Sequence, residues 1–258
     1  MIYLMTRKGQ LLSVDEGLEA LMAYQVVFVG EEHGLRISHD AELTVLAGLT
    51  ERDADLVLAL EMFERDIQPI LDAYLRGSIG EDRFLELSRP WSNYEQDYRP
   101  LVDFAKTKGL PVIAANVPRR AAAAVAMANE ISPAVLGADR VYLADAIRLD
   151  SKEYRKRFVA TISGMPHAGP MGGLNPEALY KAQVLKDAVM AASLEPFLDR
   201  RILFCCGHFH CDYHLGIPYQ LEKNHPKTRT AVIAMASAVE PLPMKERSRV
   251  ADFIWIDE

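Results

Sequence analysis

The sequence predicts a single α/β domain in which helices cover both faces of a largely parallel central sheet. Short apolar runs rich in Val, Ile, Leu and Ala recur along the chain, and such runs are typical of strands buried on both faces. Helical patterns alternate with these runs, which favours parallel strands joined by helices. No internal repeat or linker interrupts the sequence, so we expect residues 1–258 to form one domain.

Six apolar runs are predicted to be the strands. In chain order they cover residues 26–30, 56–62, 111–117, 201–207, 230–236 and 252–256. The first run, VVFVG, is rich in β-branched residues and ends in Gly30, which is typical of a short buried strand that leads into a turn. The later runs have similar length and composition, and we assign them to the same sheet.

Helices are predicted in the intervals between these strands. Residues 13–16 have the pattern of a capping box, so the first helix begins there. Residues 175–177 predict the start of a long helix that reaches about Ser193. Residues 163–175, the segment richest in Gly, Pro and Met, are predicted to be a loop. The remaining helices are predicted over residues 40–49, 66–75, 81–88 and 97–107, and from Pro118 onward.

Composition and charge exclude several classes of function. The net charge of −7 and the lack of a dense Lys/Arg run argue against a nucleic-acid partner. The first apolar run is shorter than the ~7–15 residues of a secretory signal core, and the ~20 residues of a membrane span are also lacking. We therefore expect no membrane span, with a cytoplasmic location for the chain as it stands and an extracytoplasmic one if a leader was removed. Cys205, Cys206 and Cys211 fit reducing conditions better than a disulfide framework.

Polar side chains follow four of the predicted strands. Glu31 and His33 come after the first strand, and Glu61, Asn116 and His208 end three others. Because open parallel sheets bind ligands at the carboxyl ends of their strands, we expect these five residues to line one pocket. Glu31, His33, Glu61 and His208 can hold a divalent metal, or the same groups can act as a general base with its orienting partner. Burial at the end of its strand predicts an abnormal pKa for Glu61.

Six sequence blocks resemble those of the ChaN-like haem-binding family in order and spacing. They are VVFVGEEH, LALEMFERDIQ, Trp91 with Tyr94 and Tyr98, PVIAANVPR, YKAQVLKDAVMA and GHFHCDYHLGIPYQL. This family belongs to a superfamily with erythromycin esterases and Tiki-type metalloproteases. Glu31 and His33 match its first motif, Glu61 the second and His208 the last, while Cys205 stands where superfamily members usually carry Gly.

The resemblance implies a function as well as a ChaN/erythromycin-esterase-like fold. It implies haem, or another small molecule, as the ligand, a role in iron acquisition or haem handling, and a homodimer formed around haem. The rival interpretation is a metal-dependent or His/Glu-based hydrolase of the erythromycin esterase or Tiki type. The rival needs no Ser or Cys nucleophile, because a metal-bound water can serve instead.

Candidates for the haem ligand lie mainly in the predicted loop. Met165, His167 and Met171 offer thioether and imidazole groups to haem iron or copper; the alternative is a lid whose Met residues pack on the core. Tyr180 offers a phenolate, or is a half-buried core residue. Three further histidines stay open: His39 either completes the first motif or lies at the surface, and exposure is the favoured interpretation of His210 and His214.

Overall fold

The computed structural model describes residues 1–164, 175–240, 242 and 244–257. Eight strands form one sheet in the order β2-β1-β8-β7-β3-β6-β4-β5. The strands are β1 (Ile2–Thr6), β2 (Leu11–Ser13), β3 (Val26–Glu31), β4 (Val57–Glu64), β5 (Val112–Asn116), β6 (Ile202–Gly207), β7 (Thr230–Met235) and β8 (Phe253–Asp257). The six strands β3 to β8 are parallel, while β1 pairs antiparallel with both β8 and β2. The predicted largely parallel sheet is therefore confirmed.

Helices fill the intervals between the strands. They are α1 (Val14–Leu21), α2 (Arg36–Arg52), α3 (Gln68–Leu75), α4 (Glu81–Ser88), α5 (Arg99–Lys108), α6 (Arg119–Ala128), α7 (Pro133–Leu136), α8 (Lys152–Gly164), α9 (Pro176–Leu194), α10 (Ile217–Asn224), α11 (Ala236–Val239) and α12 (Met244–Val250). The capping box at Ser13 and Glu16 and the Asn175 cap of α9 are both formed as predicted. None of the described helices is long and apolar enough to cross a bilayer.

Two predicted boundaries need correction. Helix α2 begins at Arg36, a full turn before residue 40, and so includes His39. Ser163 and Gly164 belong to the end of α8 rather than to a loop. The rest of the predicted loop up to residue 174 lies outside the described residues.

The sheet has two covered faces with separate cores. Alternate residues of a strand point to opposite faces, so Val27 and Val29 of β3 pack under α1 to α5, which we call the first face. Val26 and Phe28 point to the other side, the second face, where α9, α10 and α12 contribute to the core. Helices α6 and α8 pack against α9 on this second side. Any side chain at a strand end is therefore assigned to a face by its position in the alternation.

Candidate functional site

Strand alternation directs the two predicted carboxylates to opposite faces of the sheet. Glu31 continues the Val27 and Val29 row and lies on the first face. Glu61 contacts His210, which in turn contacts Asp187 of α9 on the second face. Both carboxylates are buried, with exposed fractions of 0% and 4%. The rim of the sheet therefore carries two buried polar networks rather than one.

The first-face cluster consists of Glu31, His39 and Glu42. His39 and Glu42 are three residues apart on α2, which places both on the same side of that helix. His39 Nδ1 lies 3.1 Å from Glu31 Oε2 and 3.1 Å from Glu42 Oε2. The other Glu31 oxygen, Oε1, accepts a hydrogen bond of 2.8 Å from the Tyr98 hydroxyl and lies 2.5 Å from His33 Nδ1.

Burial and mutual charge set the pKa values in this cluster. Burial raises the pKa of Glu42 well above its usual value, and the nearby Glu31 carboxylate raises it further. Burial also opposes ionisation of Glu31, but His33 and His39 outweigh it and lower the pKa of Glu31 to about 2. Burial lowers the pKa of His39, yet the two carboxylates together raise it to about 10. Cys205 faces the same group, and burial with the Glu42 charge raises the pKa of its thiol.

The second-face relay is a hydrogen-bonded series of Tyr154, Asp187, His210 and Glu61. The Tyr154 hydroxyl donates to Asp187 Oδ2 at 2.7 Å, and Asp187 Oδ1 lies 2.5 Å from His210 Nδ1. His210 Nε2 lies 3.2 Å from Glu61 Oε1. The backbone N–H of Gly207 donates to Glu61 Oε2 at 2.8 Å. All four side chains are buried, so the predicted exposure of His210 is wrong.

The relay also explains the abnormal pKa predicted for Glu61. Burial raises the pKa of Glu61, but His210, Lys186 and the Gly207 N–H outweigh it and lower the pKa to about 2. Burial lowers the pKa of His210, while Glu61 and Asp187 raise it to about 10. The positive charge beside Glu61 thus comes from the imidazole of His210.

A rim cavity of about 320 Å³ brings together three of the five predicted pocket residues. His33, Glu61 and Asn116 line it with His210 and Lys186. The Asn116 Oδ1 atom is buried and has no hydrogen-bond partner, so it is available to a ligand. Glu31 does not line this cavity but contacts His33, which does. Gly207 packs closely against His33, because an added Cβ at Gly207 would lie 2.7 Å from His33 Nε2.

His208 lines a different and larger cavity of about 660 Å³ on the second face. Its Nδ1 atom lies 2.7 Å from Asp212 Oδ2, and this hydrogen bond raises the pKa of His208. His208 therefore does not line the rim cavity with Glu61, because the 3₁₀ turn after Gly207 places His208 and His210 in different cavities. Apolar and aromatic walls enclose the large cavity; they include Phe158, Ile162, Phe209, Tyr213, Leu215 and Val250.

Two consecutive residues beside the large cavity adopt left-handed backbone. Tyr213 has φ 61° and His214 has φ 57°, a conformation that is unfavourable for residues other than Gly and concentrates at functional sites. The Tyr213 hydroxyl donates to Glu246 Oε1 at 2.9 Å, and the Arg157 guanidinium lies 3.5 Å from its ring centre. His214 is half-buried and lies 3.0 Å from Asp252, so it also departs from the predicted exposure.

Of the four predicted haem ligands, only Tyr180 lies among the described residues. Met165, His167 and Met171 lie outside the described residues. Tyr180 belongs to α9 and is buried against α8. Its hydroxyl donates to the Ser151 carbonyl at 3.4 Å, and it lines neither cavity. His39 is buried in the first-face cluster beside Glu31, so the surface interpretation of this residue is wrong.

Sequence reasoning missed several polar residues of these networks. Asp187 carried one usable signal, because α9 is buried on nearly all sides and a carboxylate within such a helix requires a partner. Tyr98 was named only as part of a family block, and Asp97 carries no comparable signal, since only the tertiary fold brings Tyr98 to Glu31 and Asp97 to His39.

Comparisons with known proteins agree with this architecture. The family described as haem-binding uptake, Tiki superfamily, ChaN matches residues 17–221. The structure of ChaN of Campylobacter jejuni, which binds haem cofacially, superimposes with a TM-score of 0.78 at 16% identity and covers 100% of this chain and 97% of that one. The type III effector HopBA1 gives a TM-score of 0.51 at 13% identity, covering 93% and 91%.

A plant relative is similar in sequence. Protein RETICULATA-RELATED 5 of Arabidopsis thaliana, a chloroplast protein, is 24% identical over 92% of this chain. The aligned part is only 34% of that protein's length. The family match over residues 17–221, supported by the shared fold, shows that this chain belongs to the ChaN family of haem-binding uptake proteins in the Tiki superfamily.

Proposed function

We propose that this chain binds haem in the large cavity and acts in iron acquisition or haem handling. The observation that carries the proposal is the composition of the cavity wall, which combines an apolar slot, donors for iron and a cation. Its volume of about 660 Å³ lies within the ~300–1,000 Å³ of small-molecule sites. Membership of a haem-binding family supports the same ligand.

The apolar part of the wall fits a flat porphyrin. Phe158 and Phe209 pack with ring centres 5.7 Å apart, and Leu215 and Ile162 extend the same surface. Burying the porphyrin faces against these side chains removes apolar surface from water, which is the main stabilisation available to such a ligand.

Two side chains of the wall offer donors to iron. His208 is held at Nδ1 by Asp212, which leaves Nε2 free in the manner of a metal-binding imidazole with a carboxylate partner. Tyr213 offers a phenol, and tyrosinate is an established axial ligand of haem. The Tyr213 hydroxyl would exchange its bond to Glu246, a carboxylate that is 35% exposed, for the iron. Tyr154 also lines the cavity, but its hydroxyl donates to Asp187, which is fully buried and depends on that bond. Bound haem would supply the iron, and His208 and Tyr213 would hold it.

Arg157 provides the positive charge that a haem propionate requires. Its guanidinium lines the cavity and already lies 3.4 Å from Glu246 and 3.2 Å from Glu153. A haem propionate would replace these carboxylates as the partner of Arg157. In the absence of haem, the carboxylates hold the guanidinium in place.

Titration with hemin tests this proposal. We expect a Soret shift in the wild type, a changed spectrum in Tyr213→Phe or His208→Gln, and weaker binding in Arg157→Gln. Loss of one charge-assisted hydrogen bond costs about 1.5–3 kcal/mol, or roughly tenfold to 100-fold in affinity. Tyr180→Phe is the matched control, because Tyr180 lies outside the cavity. Unchanged spectra in both ligand variants would contradict the assignment.

We further propose that two copies of the chain pair when haem is bound. A haem in the large cavity would leave one of its two faces exposed at the cavity mouth. A second copy of the chain would cover that face. Sedimentation velocity with and without hemin measures this. A monomer at saturating hemin would refute pairing and leave haem binding itself untouched.

The rival function, hydrolysis, is favoured by the rim cavity. His33 is held at Nδ1 by Glu31 and its Nε2 faces the cavity beside Glu61, the arrangement of an oriented acid or base. The Glu31 hydrogen bond raises the pKa of His33, which favours a general-acid role at neutral pH. Ester, amide and phosphoester substrates should be assayed with Mn²⁺, Co²⁺ or Zn²⁺. Hydrolysis that His33→Ala abolishes and His208→Ala preserves would replace the haem proposal with this one.

A further inference from the structure

We propose that the first-face cluster of Glu31, His39 and Glu42 is a buried binding site for a divalent transition-metal ion, separate from the haem cavity. The sequence alone suggested a different ligand set of Glu31, His33, Glu61 and His208. The structure retains only Glu31 from that set and adds two residues of α2.

The first argument is that two buried carboxylates share one imidazole. The Glu31 and Glu42 side chains are each 0% exposed, and His39 is 6% exposed. Within the described part of the chain, no Lys or Arg forms an ion pair with either carboxylate. Buried carboxylates need compensating charge; His39 faces both of them, while His33 reaches only Glu31. A divalent cation at the centre would compensate both carboxylates at once.

The second argument is that polar atoms of the cluster lack hydrogen-bond partners. Glu31 Oε2, Glu42 Oε1 and His39 Nε2 are all buried without one. His39 Nδ1 is equidistant from the two carboxylates, and its single N–H can donate to only one at a time. Buried atoms that remain unsatisfied indicate a missing partner. A metal ion at the centre would satisfy both carboxylate oxygens.

The third argument is geometric. The donor atoms of the three residues all lie within 4.8 Å of one another, and His39 Nδ1 is 3.1 Å from each carboxylate. Donors bound at about 2.1 Å around one ion are separated by about 3.0 Å in an octahedron and about 3.4 Å in a tetrahedron. The observed separations therefore require little movement of the side chains.

The residues around the donors orient them for this role. Tyr98 and His33 occupy Glu31 Oε1 and leave Oε2 directed at His39. Asp97 Oδ2 lies 3.4 Å from His39 Nε2, the position of the carboxylate that commonly supports a metal-bound imidazole. Carboxylate and imidazole donors together suit Mn²⁺, Fe²⁺ and Zn²⁺.

Calorimetric titration of chelator-treated protein with ZnCl₂ and with MnCl₂ tests the inference. We expect one ion per chain in the wild type and loss of this site in Glu42→Gln. Asp97→Asn should weaken binding by about 10–100-fold, the usual effect of removing an outer partner. Glu195→Gln is the matched control, because Glu195 also pairs with a histidine, His225, at 3.1 Å but at the surface. Wild-type stoichiometry and affinity in Glu42→Gln would overturn the site.

Anomalous diffraction from wild-type crystals grown with zinc or manganese locates the ion without any variant. We expect a peak between Glu31 Oε2, His39 Nδ1 and the Glu42 carboxylate. No peak there, or a peak only beside Glu61 in the rim cavity, would refute the inference even if Glu42→Gln fails to fold. Both measurements are made without hemin, so their outcome is independent of the haem proposal.

Discussion

His210 holds the second-face relay together because it bridges two buried carboxylates. Its imidazole lies 3.2 Å from Glu61 and 2.5 Å from Asp187. All three side chains are buried away from water. A buried histidine without these carboxylates would be neutral, whereas here the carboxylates favour the imidazolium. Its charge is therefore part of the fold and of the rim cavity at once.

The charge of His210 predicts a loss of stability at alkaline pH. The pKa of His210 is raised to about 10 from its usual 6.5, so the folded state binds the proton more tightly than the unfolded chain. The resulting stabilisation is complete below pH 6.5 and disappears as the pH rises through about 10. Thermal unfolding measured from pH 6 to pH 10 should show a falling melting temperature, with a contribution from His210 on the order of a few kcal/mol.

His210→Gln should flatten this dependence, while His225→Gln at the surface should leave it unchanged. Part of the slope should persist in His210→Gln, because His39 has a similarly raised pKa. Identical slopes in wild type and His210→Gln would show that His210 does not hold its proton more tightly in the folded state than in the unfolded chain.

Residue-level prediction from sequence was possible where a side chain lies near the end of a buried strand. Glu61 lies in the last half of β4 and Asn116 ends β5, and strand direction alone places them at the rim. His210 was misassigned because its burial depends on Asp187, which reaches it from α9 and is 23 residues away in the chain. His208 and His210 are two residues apart, and no local pattern shows which cavity each one faces.

At the scale of elements, the entry to α10 depends on Gly216. This residue has φ 62° and ψ −122°, and an added Cβ would lie 2.3 Å from the His210 carbonyl oxygen and 3.2 Å from Asp187 Oδ1. Only Gly allows the chain to turn from the His208–His214 segment into α10 while keeping His210 against Asp187. The turn and the relay are thus one structural unit.

Gly216→Ala should destabilise the protein by more than the same change at Gly77. Gly77 also has a positive φ, 73°, but no atom lies within 4 Å of the position of its added Cβ. Gly77→Ala should therefore cost only the backbone term of about 1–2 kcal/mol. Gly216→Ala adds a backbone clash, and we expect roughly 1–3 kcal/mol beyond that. Denaturant unfolding measures both, and equal losses would mean that the turn relaxes without strain.

Element prediction followed the length and composition of each segment. The six parallel strands could be predicted because each is a continuous apolar run. Helices α1 and α9 could be predicted because the sequence contains their N-cap residues, Ser13 and Asn175. The hairpin of β1 and β2 was missed because β1 mixes half-buried residues with one buried residue, Leu4, and β2 has only three residues. Neither strand resembles a buried run, because β1 is held in the sheet by pairing with β8 and β2 by pairing with β1.

For the whole molecule, the sheet separates two polar networks, and we expect substitutions at their far ends to act independently. Glu42 lies on the first face and Asp187 on the second, and no contact joins them directly. Glu42→Gln and Asp187→Asn should therefore have additive effects on the free energy of unfolding, within about 0.5 kcal/mol. Asp187→Asn with Tyr154→Phe should be non-additive by about 0.5–3 kcal/mol, because those two side chains share a hydrogen bond.

Denaturant unfolding of the single and double variants gives both coupling energies. A coupling between Glu42 and Asp187 as large as that between Asp187 and Tyr154 would show that the sheet transmits changes from one face to the other. His33 would then be the residue to examine, since it contacts Glu31 and lies beside Glu61.

The pairing of β1 with β8 has a consequence for biosynthesis. Residues Ile2–Thr6 pair with Phe253–Asp257, so a segment made early waits for a partner that is made much later. Contacts between such distant segments slow folding. Until translation reaches β8, the edge of β7 stays open, and an open parallel edge is prone to association with other chains. We therefore expect a nascent chain of this protein to need protection by chaperones until β8 has been made.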